Sequence, residues 1–180
     1  MAPLTRNEFM KCCATGLCSC LALPALAQTA DSEAEPPSEQ VEAIRIRYAK
    51  LVGILDRELD ERQKTEVFEG LGRECAFQFR QTTIDRYKGD LDGFLKSIQG
   101  PGGWMAKVES GTGFIRVIDR SSRCTCPMVD AALTPPLQCT CTLGWQRATY
   151  SAIVGRPVEA EIEESILRGG RRCVFRIKTG

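Results

Sequence analysis

Two Cys-x-Cys pairs, Cys124-Thr125-Cys126 and Cys139-Thr140-Cys141, stand twelve residues apart in this chain. On an extended strand, residues i and i+2 point to the same side. Each pair can then aim two sulfurs at one point, and a loop between the pairs can bring four thiols together. Four converging thiolates make a closed, tetrahedral zinc site that is structural rather than catalytic. The same four sulfurs can instead form two disulfides between the pairs, since a bond within one Cys-x-Cys is strained. An iron–sulfur cluster or a redox dithiol is a further outcome of this donor set. The expected metal ligands are therefore Cys124, Cys126, Cys139 and Cys141, with zinc as the expected ion.

The chain has no histidine. That excludes Ser-His-Asp and Cys-His catalysis and every His-ligated metal site. A nucleophilic cysteine would need a carboxylate as its base, which raises a thiol pKa rather than lowering it. Arg123 beside Cys124 is the sequence's nearest help to a thiolate. A thiol-dependent hydrolase or redox protein is thus the alternative reading, and the balance leans away from an enzyme. Glu159, Glu161 and Glu163 recur every second residue, as on the solvated face of a strand.

Phe79, Phe94, Trp145 and Tyr150 are the aromatics that can line a pocket for a small organic ligand; aromatics at helical spacing also serve as plain core. Arg80, Arg86 and Tyr87 lie where they can meet an anionic group of such a ligand, or stay as solvated surface. Cys75 and Cys173 sit on apolar stripes and read as core filler.

These residues need elements to position them. Val41, Ile44, Tyr48, Leu51, Val52 and Leu55 have helical spacing, giving a helix over 39–58. Asp60-Glu61-Arg62-Gln63 reads as a capping box that opens a second helix with Val67, Phe68, Leu71, Cys75 and Phe79 on its apolar face. The pair makes a helical hairpin. Asp90 caps a short third helix through Phe94, Leu95 and Ile98. The period then changes. Met105–Glu109 and Phe114–Asp119 read as strands joined at Gly111-Thr112-Gly113. A further helix runs from Leu143 to Val154 and closes at Gly155. Val158, Ala160 and Ile162 alternate with glutamates, and Cys173, Phe175 and Ile177 alternate with Val174, Arg176 and Lys178. These two strands should pair antiparallel, glutamates facing basic side chains. The result is an α+β domain: an N-terminal helical hairpin on an antiparallel sheet of about four strands, with one helix inserted before the C-terminal hairpin.

The chain has 180 residues, 43% hydrophobic and 26% charged, with formal net charge +1. That suits one soluble domain and gives no basic patch for nucleic acid. Residues 1–27 read as an export signal: Arg6 and Lys11, an apolar run from Cys12 to Leu23, and Ala25-Leu26-Ala27 as a cleavage site. Thr5-Arg6-Asn7-Glu8-Phe9-Met10-Lys11 resembles a twin-arginine motif with Asn7 in place of its second arginine. The expected location is periplasmic, or membrane-anchored if the signal is retained. No stable membrane insertion is expected after cleavage. Residues 28–38 read as a disordered linker, and 39–180 as the single folded domain. Its expected partners are a small organic ligand and a second copy in a homodimer. Disulfides at the paired cysteines would make it a stapled interaction domain.

Gly144-Trp145 on a helix, then VGRPVEAEIEESILRGGRRCVFRI from Val154 to Ile177, ends the chain on a Cys-x-Phe-x-Ile strand. This close resembles that of the four-vinyl-reductase type of small-molecule-binding domains, with similar endings in methanogen output domains and amino-thiazoline-carboxylate hydrolase-like proteins. The resemblance extends over about residues 60–180. It implies a small apolar or aromatic ligand held between sheet and helices, and Cys173 matches the cysteine of the terminal strand. Some relatives carry a cysteine-bound zinc near the pocket. The doubled Cys-x-Cys departs from their simpler pattern.

Overall fold

A computed structural model describes residues 38–99, 103–109 and 112–179. The expected signal, residues 1–27, and all of the expected linker but Ser38 lie outside the described residues.

Helix α1 (Glu39–Glu58) starts where the Ser38 hydroxyl accepts from Val41 N. Leu59 ends it, and Asp60 opens α2 (Glu61–Tyr87) with the full capping box that the sequence predicts: Asp60 accepts from Gln63 N and Gln63 Oε1 accepts from Asp60 N. A Lys64–Asp56 ion pair of 3.0 Å ties the two helices together near that turn. Asp90 caps α3 (Leu91–Ser97) through Gly93 N.

Strands β1 (Trp104–Glu109), β2 (Phe114–Asp119), β3 (Glu159–Glu164) and β4 (Val174–Lys178) form one antiparallel sheet in the order β1-β2-β4-β3. The last strand is therefore interior. Its register sets Glu159 opposite Lys178 and Glu161 opposite Arg176, the pairing of charges expected from the alternation. Arg116 joins Glu163 at 2.7 Å and Glu109 at 3.1 Å on that face. The other face carries Ala106, Ile115, Val117, Phe175 and Ile177, which pack with Phe94, Leu95, Tyr150 and Ile153 in the main core. The architecture is α+β, with helices packed over an antiparallel sheet.

Helix α4 (Cys139–Val154) bridges sheet and hairpin. It begins four residues earlier than its apolar spacing suggests, because Pro135 and Pro136 lead into a 3-10 turn, Pro136–Gln138, that runs straight into it. Gly155, at φ 80°, closes it in the left-handed conformation. Helix α2 crosses α4 at backbone contact distance: a Cβ on Gly72 would lie 2.7 Å from Trp145 N, and one on Gly144 2.6 Å from Glu69 Cα. No helix among the described residues is long and apolar enough to cross a membrane.

Candidate functional site

The early start of α4 decides the fate of the cysteine pairs. Cys139 and Cys141 lie in its first turn. Two residues on a helix are about 200° apart, so these thiols diverge, whereas strand geometry would have made them converge. Cys139 turns inward, buried, with its sulfur 3.2 Å from the Ser165 hydroxyl. Cys141 turns toward α1, where its charged form acts on Tyr48. Cys124 and Cys126 sit in the irregular segment after β2. Cys126 receives only a long contact, 3.9 Å, from Gln138 Nε2.

The expected zinc site is therefore corrected. Among the described residues no three or more Cys, Asp or Glu side chains are placed to hold one metal ion, so Cys124, Cys126, Cys139 and Cys141 do not form a ligand set. Cys75, Cys124, Cys126, Cys139, Cys141 and Cys173 are all free thiols, which also corrects the stapled-disulfide alternative.

Four of these thiols, Cys124, Cys139, Cys141 and Cys173, are not activated either. Burial pushes Cys124 up to about 11 and Cys141 up to about 12, and it raises Cys139 and Cys173. For Cys139 the rise prevails over the Ser165 hydrogen bond and the Arg168 charge, which both favour the thiolate. A nucleophile needs the opposite shift, so the hydrolase or redox alternative finds no support at these four thiols. Alkylation at pH 8 should be slow. Relative to the unfolded chain, the rise from the ordinary 9.0 to about 11 leaves on the order of a hundredfold less thiolate at Cys124. Peptide mapping after iodoacetamide checks this, and labelling of Cys124 and Cys141 at the unfolded rate would refute it.

The same shifts fix how stability depends on pH. Unfolded thiols lose protons from about 9 upward, while folded Cys124 and Cys141 hold theirs to about 11 and 12. The unfolded state then binds fewer protons, so stability present below pH 9 is lost as pH rises through the folded values. Tyr48, raised to about 12 mainly by burial, adds in the same direction. Thermal melts should be flat in Tm near neutrality and fall above pH 9, with a shallower fall in Cys141→Ser.

The cysteine segment is instead fastened by polar contacts. Buried Asp119 accepts from Ser121 N at 2.9 Å and from the Thr125 hydroxyl. Buried Gln138 accepts from the Tyr48 hydroxyl at 2.6 Å. Arg45 Nε donates to Pro127 O at 2.9 Å. The segment thus docks on α1. Asp119, Gln138 and Ser165 went unmarked in the sequence, because isolated polar residues in a loop or at an element's edge carry no periodic signal.

The four pocket aromatics fall into two adjoining pairs. Phe79 stacks on Trp145, centroids 6.4 Å apart and planes at 18°. Phe94 meets Tyr150 edge-on at 5.4 Å, and Tyr87 meets Phe94 at 5.9 Å. Arg80 joins them: its guanidinium carbon is 5.7 Å from the Trp145 centroid, and its charge favours ionisation of the Tyr150 hydroxyl, which burial strongly disfavours. Phe94 and Tyr150 are buried core, while Phe79 is 70% exposed. A separate open groove of ≈ 800 Å³ between α2 and α4 is lined by Arg73, Phe77, Lys88, Arg147 and Arg156 among others, and by none of the four aromatics.

No family model matches the chain, and no curated protein matches it. Among solved structures it is similar to a trafficking protein particle complex subunit 3 from Naegleria fowleri covalently bound to palmitic acid, with TM-score 0.51 and 14% identity. The match covers 77% of this chain and 94% of that one. At this identity the likeness concerns the fold.

Proposed function

We propose that this chain is a non-catalytic assembly module that pairs with a second copy of itself through the outer face of its helical hairpin. The carrying observation is where the exposed apolar side chains lie. Val41, Ile44, Leu51 and Ile54 on α1, and Val67 and Leu71 on α2, are each 40–54% exposed. Isolated exposed apolar residues are ordinary, but concentration on two consecutive helices marks an interaction face.

The reason lies in the sequence stripes. On α1, Val41, Ile44, Leu51 and Leu55 keep the three-, seven- and four-residue spacing of paired helices, while Tyr48, at the edge of that row, bonds Gln138 of its own chain. The fold buries only the neighbouring edge of α1, Ala49 and Val52. A self-complementary face suits a two-fold dimer. Antiparallel α1 helices would also set the acidic first turn, Glu39 and Glu42, alongside the partner copy's basic last turn at Arg57. The membership of the Naegleria protein in a multisubunit complex is in keeping with this reading.

Light-scattering mass measurement on the full chain, over a range of concentrations, tests it. A dimer of the 19.9 kDa chain is expected. Ile44→Glu with Leu51→Glu should weaken it by more than about a hundredfold, since each apolar side chain contributes about 1.5–3 kcal/mol when buried. Far-UV circular dichroism should not change. A wild-type chain that stays monomeric at its highest soluble concentration sinks the proposal, as does a double variant that dimerises unchanged.

A further inference from the structure

Helices α2 and α4 meet at their glycine crossing and leave a groove beyond it. At the crossing their backbones touch, Gly144 against Glu69. From there α4 presents Ala148, Ala152 and Gly155 toward α2, and side chains this short do not fill the space. The result is the open groove of ≈ 800 Å³, with Phe77 and Ile84 on its other wall. The two helices are joined again past Tyr87, where Gly89 N donates to Ile153 O at 2.8 Å. Ile84 is buried in the wall, but Phe77 is 41% exposed. A phenylalanine left in water beside an unfilled groove is surface for a partner to cover.

The rim is basic. Arg73, Lys88, Arg147 and Arg156 line the groove against two carboxylates, Glu69 and Asp85. Arg147 is committed: it pairs with Glu69 and donates to Ala160 O at 3.0 Å. Asp85 accepts from Gln81 Nε2 at 2.8 Å. Arg73 reaches its chain neighbour Glu74 only at 3.8 Å, in solvent. Among the described residues Lys64 and Lys178 have carboxylate partners, whereas no carboxylate lies within ion-pair distance of Lys88 or Arg156. Arg156 donates instead to Thr179 O, a contact that leaves its charge unneutralised. Lys88 and Arg156 stand together at one end of the groove, just past the C-terminal ends of α2 and α4. An apolar wall with unpaired cations at one end has a complement. It is a segment with apolar side chains in its middle and carboxylates beside them. A bilayer has the wrong shape, because the apolar wall is concave and a flat surface would touch only the rim.

We propose that the groove between α2 and α4 is a docking site for a short acidic segment of a protein partner. Its apolar side chains lie against Phe77, Ala148 and Ala152, and its carboxylates meet Lys88 and Arg156. The site goes beyond the dimer reading and does not depend on it. Ile44 and Leu51, which test the dimer, belong to α1, and α1 contributes nothing to the lining. On α2 itself, Phe77 lies about 120° around the helix from Leu71.

The test titrates the full chain into a fluorescein-labelled peptide about three helical turns long and reads its anisotropy. The peptide has leucines and alanines in its middle and a pair of glutamates at each end. Two counterparts carry lysine for glutamate, or serine for leucine. The acidic peptide is expected to bind at micromolar concentration, and each counterpart about tenfold more weakly or worse. Binding should weaken severalfold between ~0.05 M and ~0.5 M salt. Lys88→Gln with Arg156→Gln should weaken it by about tenfold or more while leaving Tm nearly unchanged, since both residues are exposed. Ala152→Phe, which fills the groove, should abolish binding; the charge variant decides the matter alone where the filled protein does not fold. Ile44→Glu with Leu51→Glu should bind the peptide as the parent does, so a failed dimer and a failed groove give separate results. No binding of the acidic peptide at millimolar concentration would overturn the proposal. So would equal binding of the lysine counterpart, or undiminished binding by the charge variant. Co-sedimentation with phosphatidylserine vesicles, lost with the same two cations and displacing the peptide, would make the groove a membrane contact and overturn the class of partner.

Discussion

Gly144→Ala is expected to destabilise the protein by about 3 kcal/mol or more, a large part of the ~5–15 kcal/mol that holds a domain folded. The cause is the crossing of α2 and α4. An added Cβ would lie 2.6 Å from Glu69 Cα and 2.8 Å from Glu69 C, with the Glu69 carbonyl oxygen nearer still. The obstacles are backbone atoms, so no rotamer change relieves the clash and the helices must separate. Separation loosens the seam where Phe68 and Ala76 are buried. Helix propensity acts the other way, since alanine gains about 1 kcal/mol over glycine in a helix interior, but the clash is the larger effect. Gly72→Ala should behave alike, because its Cβ would meet Trp145 N at 2.7 Å and Cys141 C at 2.9 Å. Gly70→Ala is the control: its nearest neighbour is the tip of the Arg73 side chain at 3.6 Å, so propensity alone should act and Tm should hold or rise. Urea unfolding of the three variants decides it. A Gly144→Ala protein as stable as the parent would mean that the crossing is looser than described.

Element type was legible wherever a period or a cap was local. The capping box at Asp60, the cap at Asp90, the Gly155 terminus and the alternation of Glu159 to Glu163 against Arg176 and Lys178 all depend on residues within a few positions of one another, or on a simple antiparallel turn. The cysteine pairs depart from expectation for a related reason. Cys-x-Cys converges on a strand and diverges on a helix, and the sequence left the state of residues 139–141 undecided. Pro135 and Pro136 settle it by feeding a 3-10 turn into α4. The apolar spacing of α4 starts only at Leu143, so the pattern could not carry the helix back to Cys139.

Arg80 shows what a row-by-row reading could have found. The sequence offered it as one of three polar residues near the end of a helix. The signal was its position, four residues after Ala76 and four before Ile84, inside the row that turns out to face the core. By contrast, Phe77 and Phe79 flank it on exposed arcs. Hydrophobicity alone would place both phenylalanines inside and the arginine outside; the helical phase places them the other way.

Phe175→Ala is the second large effect, expected to cost about 3–5 kcal/mol and to lower Tm by more than about 10 °C. Phe175 is 1% exposed on β4, an interior strand. It stands opposite Val117 on β2 and Ile162 on β3, and its ring lies 5.9 Å from Trp104. Its side chain therefore joins three strands and β1 to the helices above. The cavity left by alanine is bounded by sheet backbone on one side and by Tyr150 and Ile153 in the same core cluster, which limits how far the site can collapse. The exposed face offers the comparison. Arg176, the next residue, works in a charge network in contact with water, where pairs contribute about 0–1 kcal/mol, so Arg176→Ala should cost far less. Thermal melts of the two variants give the ranking. If Arg176→Ala proved the more damaging, the sheet would be held by its outer ion pairs rather than by burial. The layered core inferred from the alternation of Cys173, Phe175 and Ile177 would then be wrong in its energetics, though not in its geometry.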